Sequence, residues 1–307
     1  MELKHSFNIL LSRYTLIFKT MIYVLLVSAV CVGVMVSIMT PAMDPLIQDI
    51  ENAGLVTTTT STLMQMFLQQ IDYATGMDTL SACYESLMAI IGTYRNEMLI
   101  FYILTSIVLF VYRLLTSMTS VPIASSVNKY MSSSVHTKFA NDIAENFWAS
   151  IKYAFFATII NQILNTALGF MTYYMIMATV RGWGIFAFTV SIFVLLLFLS
   201  FKYTLFITWV PGIVVEKKKV LSALVDSIKS FPKYFKYGFF SSIILYLFAM
   251  AATVLLGMAT FFILVPVIVV AVIVMLRIIE LVCYYKVNNK RYYIDHNNII
   301  SPREELY

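Results

Sequence analysis

The chain has 307 residues, of which 60% are hydrophobic and only 12% charged, with a net charge of +5. Soluble domains carry about 25% charged residues, so this composition excludes a soluble globular protein and points to an integral membrane protein. The small positive balance acquires meaning only once it is placed on the two sides of a membrane, and no nucleic-acid partner is expected.

Six apolar runs are long enough to cross a hydrocarbon core of about 30 Å, which takes roughly 20 residues. They cover Phe18–Met39, Met98–Val121, Ile151–Thr179, Ile185–Val210, Gly238–Thr260 and Phe262–Tyr285. The first exceeds the 7–15 residues or so of a signal-peptide core, and Val30 stands where a lipoprotein cleavage box needs a small residue. It reads as a retained span. The expected fold class is all-α: a polytopic helical membrane protein in one membrane domain over 1–307.

Residues 40–97, between the first two spans, carry seven acids (Asp44, Asp49, Glu51, Asp72, Asp78, Glu85, Glu97) against Arg95 alone. Pro41, Pro45 and the run Thr57–Thr60 suggest irregular chain. Leu63–Tyr73 and Leu80–Ile91 have helical apolar spacing, so a small helical cap or hairpin is expected. No calcium-loop spacing occurs among the acids. Cys31 and Cys283 fall in apolar runs and Cys83 in this loop, which gives no disulfide framework.

Lysine and arginine set the orientation. Lys4, Arg13 and Lys19 precede span 1. Lys129, Lys138 and Lys152 lie between spans 2 and 3, and Lys217, Lys218, Lys219, Lys229, Lys233 and Lys236 between spans 4 and 5. Lys286, Lys290, Arg291 and Arg303 follow span 6, while only Arg95 and Arg181 lie on the other side. Both termini, including the tail 286–307, are therefore expected in the cytoplasm of a cell, with 40–97 outside. Reporter fusions after Asn289 and within Lys217–Lys219 should read as cytoplasmic, and one near Thr58 as external. An external reading at Lys217–Lys219 would overturn this map. Trp148, Trp183 and Trp209 fall at expected span ends, where indole rings favour the interface.

The sequence also repeats itself. Lys152–Ile160 reads KYAFFATII and Lys236–Ile244 reads KYGFFSSII. At the same offset Asp142 meets Asp226 and Phe147 meets Phe231. Arg113 and Lys202 each precede a Val-Pro by the same distance, ending at Pro122 and Pro211. Spans 2–3 and 4–5 would thus form a parallel repeat of helix hairpins. Span 1 with Lys19 and span 6 with Arg277 form a weaker third unit. Each inner loop carries an amphipathic stretch, Phe139–Ile151 and Leu221–Phe235, placed either in the headgroup plane or against neighbouring spans. Pro232 permits a bend into span 5.

From Pro211 the chain carries a pattern in Pro211, Ile213, Val214, Glu216, Val220, Ala223, Leu224 and Ser227. It resembles the bacterial six-helix family that includes the membrane domain fused to some glycerophosphodiester phosphodiesterases, with stand-alone relatives. The likeness extends loosely over spans 2–6. It implies a six-helix membrane fold. The catalytic barrel of the fused proteins has no counterpart here, so no hydrolase activity is implied.

Ionisable groups within spans are functional candidates, and there are four: Arg113, Lys202, Arg277 and Glu280. The three cations occupy spans of the same direction and form a candidate anion- or lipid-binding layer in the inner half of the membrane. Alternatively, Arg113 and Lys202 snorkel to the interface, while Arg277 and Glu280, three apart, pair on one face. Span 3 carries Thr158, Asn161, Gln162 and Asn165. Asn161 and Asn165 share a face, suited to a polar lining or to interhelical hydrogen bonds. His5, His136 and His296 form no metal or catalytic pattern, and no nucleophile elbow or phosphate loop occurs. No enzyme activity, cofactor or metal is expected. Two functions fit: an accessory membrane protein that anchors or modulates a membrane-protein partner, or a carrier or binder of an anionic lipid or phosphate-bearing molecule.

Overall fold

A computed structural model describes residues 2–178 and 184–301. Six helices in it are long and apolar enough to cross a membrane: Thr15–Ile38, Arg95–Ser133, Phe147–Met175, Thr189–Val214, Val220–Ala259 and Val265–Val287. The protein is an all-α, multi-pass membrane protein. The expected span end at Thr179, the loop residues Arg181 and Trp183, and Arg303 in the tail lie outside the described residues.

The chain forms two compact units, Ser28–Tyr112 in one and Met1–Val27 with Arg113–Tyr307 in the other. In the first, helix α2 (Thr15–Asn52) continues through Pro41 and Pro45, where irregular chain was expected. Each proline removes one backbone donor, a local loss that a 38-residue helix absorbs. Gly54, at φ 63°, turns the chain into α3 (Leu55–Phe67). The threonine run is helical too, its hydroxyls accommodated by bonds back along the helix: Thr57 to Gly54 O at 2.8 Å and Thr60 to Val56 O at 2.7 Å. Helix α4 (Tyr73–Thr93) packs on α3 as the expected hairpin, capped by Asp72. Cys83 therefore lies in a helix and not in a loop. A Cβ on Gly76 would collide with Met66 Sδ, so the two helices approach closely there. Helix α5 (Arg95–Ser117) follows.

In the second unit the expected second span is divided. Helix α5 stops at Ser117, and Val121-Pro122 belong to a separate helix, α6 (Ser120–Ser133), whose first eight residues are all buried. After α7 (Phe139–Glu145) and α8 (Phe147–Ala178), the fourth span divides in the same way. Helix α9 (Gly184–Leu205) ends before α10 (Trp209–Val214), again wholly buried. Trp209, expected at the interface, is 3% exposed and donates its Nε1–H to Val220 O at 2.9 Å. Trp148 is exposed at the start of α8, as an interfacial ring should be. The remaining helices are α11 (Val220–Ala259) and α12 (Val265–Val287). They join through a turn in which Phe261 and Phe262 take positive φ. The core gathers on α6, α10 and the end of α12, where Ile278 through Tyr285 are all buried.

The inner stretch Leu221–Phe235 is not a separate helix. It is the first part of the 40-residue α11, with Pro232 inside. Its buried face carries Ala223, Ser227 and Tyr234, while Leu221, Val225 and Ile228 are exposed. The other stretch is broken at Asn146, between α7 and α8.

Two further parts of this unit were not expected. The N-terminus forms a helix, α1 (Glu2–Ser12), packed on α12. The tail forms a small antiparallel hairpin, β1 (Tyr292–Tyr293) with β2 (Ile299–Ile300). Tyr292 is buried and its hydroxyl lies 2.8 Å from His5 Nδ1. Arg13 is also buried. It donates to Ser126 Oγ at 2.5 Å and lies 2.7 Å from His136 Nδ1.

Candidate functional site

Helices α8, α9 and α12, with the end of α5 from Arg113 on that belongs to the same unit, bring the candidate residues together. A polar side chain on a span needs a partner that is not lipid, and α8 supplies amides. Arg113, near the end of α5, donates to Gln162 Oε1. Lys202, near the end of α9, donates to Asn165 Oδ1 at 2.9 Å. Gln162 and Asn165 are three apart, so one face of α8 serves both cations. On α12, Arg277 Nη1 donates to both carboxylate oxygens of Glu280, at 2.7 and 2.8 Å. Glu280 is only 2% exposed, so the carboxylate of this expected pair is covered by protein.

Lys202, Arg277, Glu280 and Asn161 line one cavity of about 170 Å³. That is room for a small cluster of waters or one phosphate-sized group. Its walls are aromatic: Tyr153, Tyr203, Phe206, Trp209 and Tyr246. These rings are fixed in place. Tyr153 packs edge-on against Trp209 with centroids 4.8 Å apart, and Tyr203 Oη donates to Leu276 O at 2.7 Å. Buried Arg277 Nε has no hydrogen-bond partner among the described residues. With Arg113 on the same face of α8, three cations meet one carboxylate. The cluster holds two surplus positive charges.

The six candidates are thus gathered, though unevenly. Asn161, Lys202, Arg277 and Glu280 face the cavity, Asn165 holds Lys202, and Arg113 stands beside them through Gln162. Neither Arg113 nor Lys202 extends freely toward a helix end, because both are taken by α8. Gln162 and the aromatic walls were not among the candidates. Gln162 could have been found as the polar residue one helical turn before Asn165. The tyrosines carried no such mark, since tyrosine is common throughout the chain.

A second polar pocket, of about 160 Å³, lies where α10 meets α11 and α12. Lys218 there pairs with Glu216 at 2.6 Å and Asp226 at 2.7 Å. The hydrogen bond that Lys218 donates to Asp226, then that to Glu216, raises the lysine pKa above its ordinary value. The Tyr284 hydroxyl donates to Glu216, and Asn288 donates to Tyr234 Oη at 2.9 Å. These groups satisfy one another. Among the described residues, no three His, Cys, Asp or Glu side chains gather to hold a metal ion. No protein family, curated protein or solved structure matches the chain.

Proposed function

We propose that the protein binds a phosphate-bearing anion, as a lipid headgroup or as a free molecule, in the cavity among α8, α9, α11 and α12. The observation that carries this reading is the convergence of Lys202 and Arg277, with Asn161, on one phosphate-sized space. A cation at mid-membrane costs roughly 2.5–3.5 kcal/mol on insertion scales. Glu280 offsets that cost for Arg277, whereas Arg113 and Lys202 are bonded to neutral amides. An anion supplies the missing counter-charge.

The experiment is the double change Arg113→Gln with Lys202→Gln. It is read in nanodiscs containing phosphatidylglycerol and, separately, by titration with inorganic phosphate. Loss of two charges should weaken binding at least about tenfold, equivalent to 1.4 kcal/mol. Loss in the lipid arm alone identifies a headgroup, and loss in both arms identifies a free anion. Unchanged binding in both arms overturns the reading.

The accessory role rests on a different feature. The exposed Leu221, Val225 and Ile228 form an apolar stripe on the first turns of α11 that suits a partner or the membrane surface. The proposal includes a cell-membrane location with cytoplasmic termini, the parallel repeat, and kinship with the six-helix family named above. The repeat is supported by the matching breaks before α6 and α10. It is also supported by the shared destination of Arg113 and Lys202 on α8. The kinship rests on the Pro211–Ser227 pattern alone, and no catalytic role is part of the reading.

A further inference from the structure

Among the described residues, a larger space than the polar cavity is apolar. An apolar groove of about 650 Å³ runs between α11 and α12, with α1 across one end. Interiors of packed proteins leave few voids larger than a water molecule, so a groove of this size calls for an occupant. Its space comes from Ala252 and Ala271, small residues set among Phe248, Leu256, Ile268 and Val272.

We propose that this groove holds an acyl chain of an anionic phospholipid, with the headgroup held at Lys4. Three observations select that occupant. Both walls are membrane-spanning helices, so the medium that reaches the groove is lipid hydrocarbon. On α11 the lining extends from Ile244 to Leu256, a rise of about 18 Å at 1.5 Å per residue. One leaflet is about 15 Å, half of a 30 Å core, so the groove matches the reach of one chain. At the end closed by α1, Lys4 and Asn8 stand among the apolar Leu3, Phe7 and Leu10. Lys4 is exposed and makes no ion pair among the described residues, and Asn8 stands one turn away. Lys286, the other lysine where α1 meets α12, is already paired with Glu2 at 3.0 Å. The charge left for a headgroup is therefore that of Lys4. This site does not depend on the polar cavity.

Native mass spectrometry of the full chain, released from nanodiscs of phosphatidylcholine and phosphatidylglycerol, reads the proposal. The wild-type chain should retain phosphatidylglycerol in preference. Lys4→Glu should reduce that preference several-fold while phosphatidylcholine is still retained. Ala252→Phe with Ala271→Leu fills the groove and should remove one bound lipid of either kind. Arg113→Gln with Lys202→Gln should leave this lipid in place, which separates the groove from the polar cavity. Lys4 is a surface residue, so its variant decides the matter even if the filled groove does not fold. A wild-type lipid complement in Lys4→Glu overturns the proposal. So does a doubled mass that loses its dimer on groove filling, because a second copy would then be the occupant.

Discussion

Replacing Glu280 with alanine should lower the stability of the fold by about 3–5 kcal/mol, the usual cost of removing one partner from a buried ion pair. Glu280 is 2% exposed and accepts two hydrogen bonds from Arg277 Nη1. Without it, Arg277 keeps its charge in a space lined by tyrosines and tryptophan. Replacing both residues with apolar ones of similar size, Arg277→Met with Glu280→Leu, should recover most of the loss, because a buried pair is often no better than good packing. Thermal unfolding in one detergent compares the three proteins. If Glu280→Ala unfolds with the wild type, the carboxylate is not covered as described. Anion binding should move the other way. The surplus in the cluster rises from two positive charges to three, so the folded fraction of Glu280→Ala should bind phosphate more tightly.

A second large effect is expected at Gly238, where α11 meets α9. A Cβ there would stand 2.5 Å from Ile207 Cδ1 and 3.2 Å from Thr204 Cγ2. Ile207 is buried, and Thr204 is held by its bond to Ser200 O. Gly238→Leu should cost about 1–3 kcal/mol through overpacking. Gly238→Ala should cost less, since alanine gains up to about 1 kcal/mol of helix propensity over glycine. Equal unfolding temperatures for Gly238→Leu and wild type would show that the helices can part without penalty.

The class of the protein was legible because apolar runs this long and this numerous, with so few charges between them, need lipid to cover them. The span ends were not. Apolarity continues across Met118–Thr119 and Phe206–Thr208, so composition does not distinguish a helix facing lipid from α6 and α10, which are covered by protein. The same holds for the pattern at Pro211–Ser227. Gly212 and Ala223 sit so close that a Cβ on Gly212 would lie 3.2 Å from that of Ala223. Ser227 Oγ donates to Leu205 O at 3.1 Å and accepts from Thr208 N at 3.3 Å. The pattern records how α10 seats on α11, which is packing and not chemistry. Arg113, Lys202, Arg277 and Glu280 stood out because charges inside spans are rare. Their partners did not, because which amide meets which cation depends on how Arg113 and helix α9 lie against α8. Helix α1 and the tail hairpin are short and mixed in composition. They are held by contacts such as His5 with Tyr292, 287 positions apart, which no local pattern foretells.

Helix α11 has one more consequence. Its 40 residues make a rod of about 60 Å at 1.5 Å per residue, and it walls every cavity described above. Asp226 and Tyr234 face the inner pocket, Tyr246 the polar cavity, and Phe248 through Leu256 the groove. A tilt of this rod that widens one space must alter the others. A ligand that binds one tilt better than another then shifts affinity in the other two places, without being needed for binding there. Any two occupants that prefer different tilts then alter each other's affinity by the same factor.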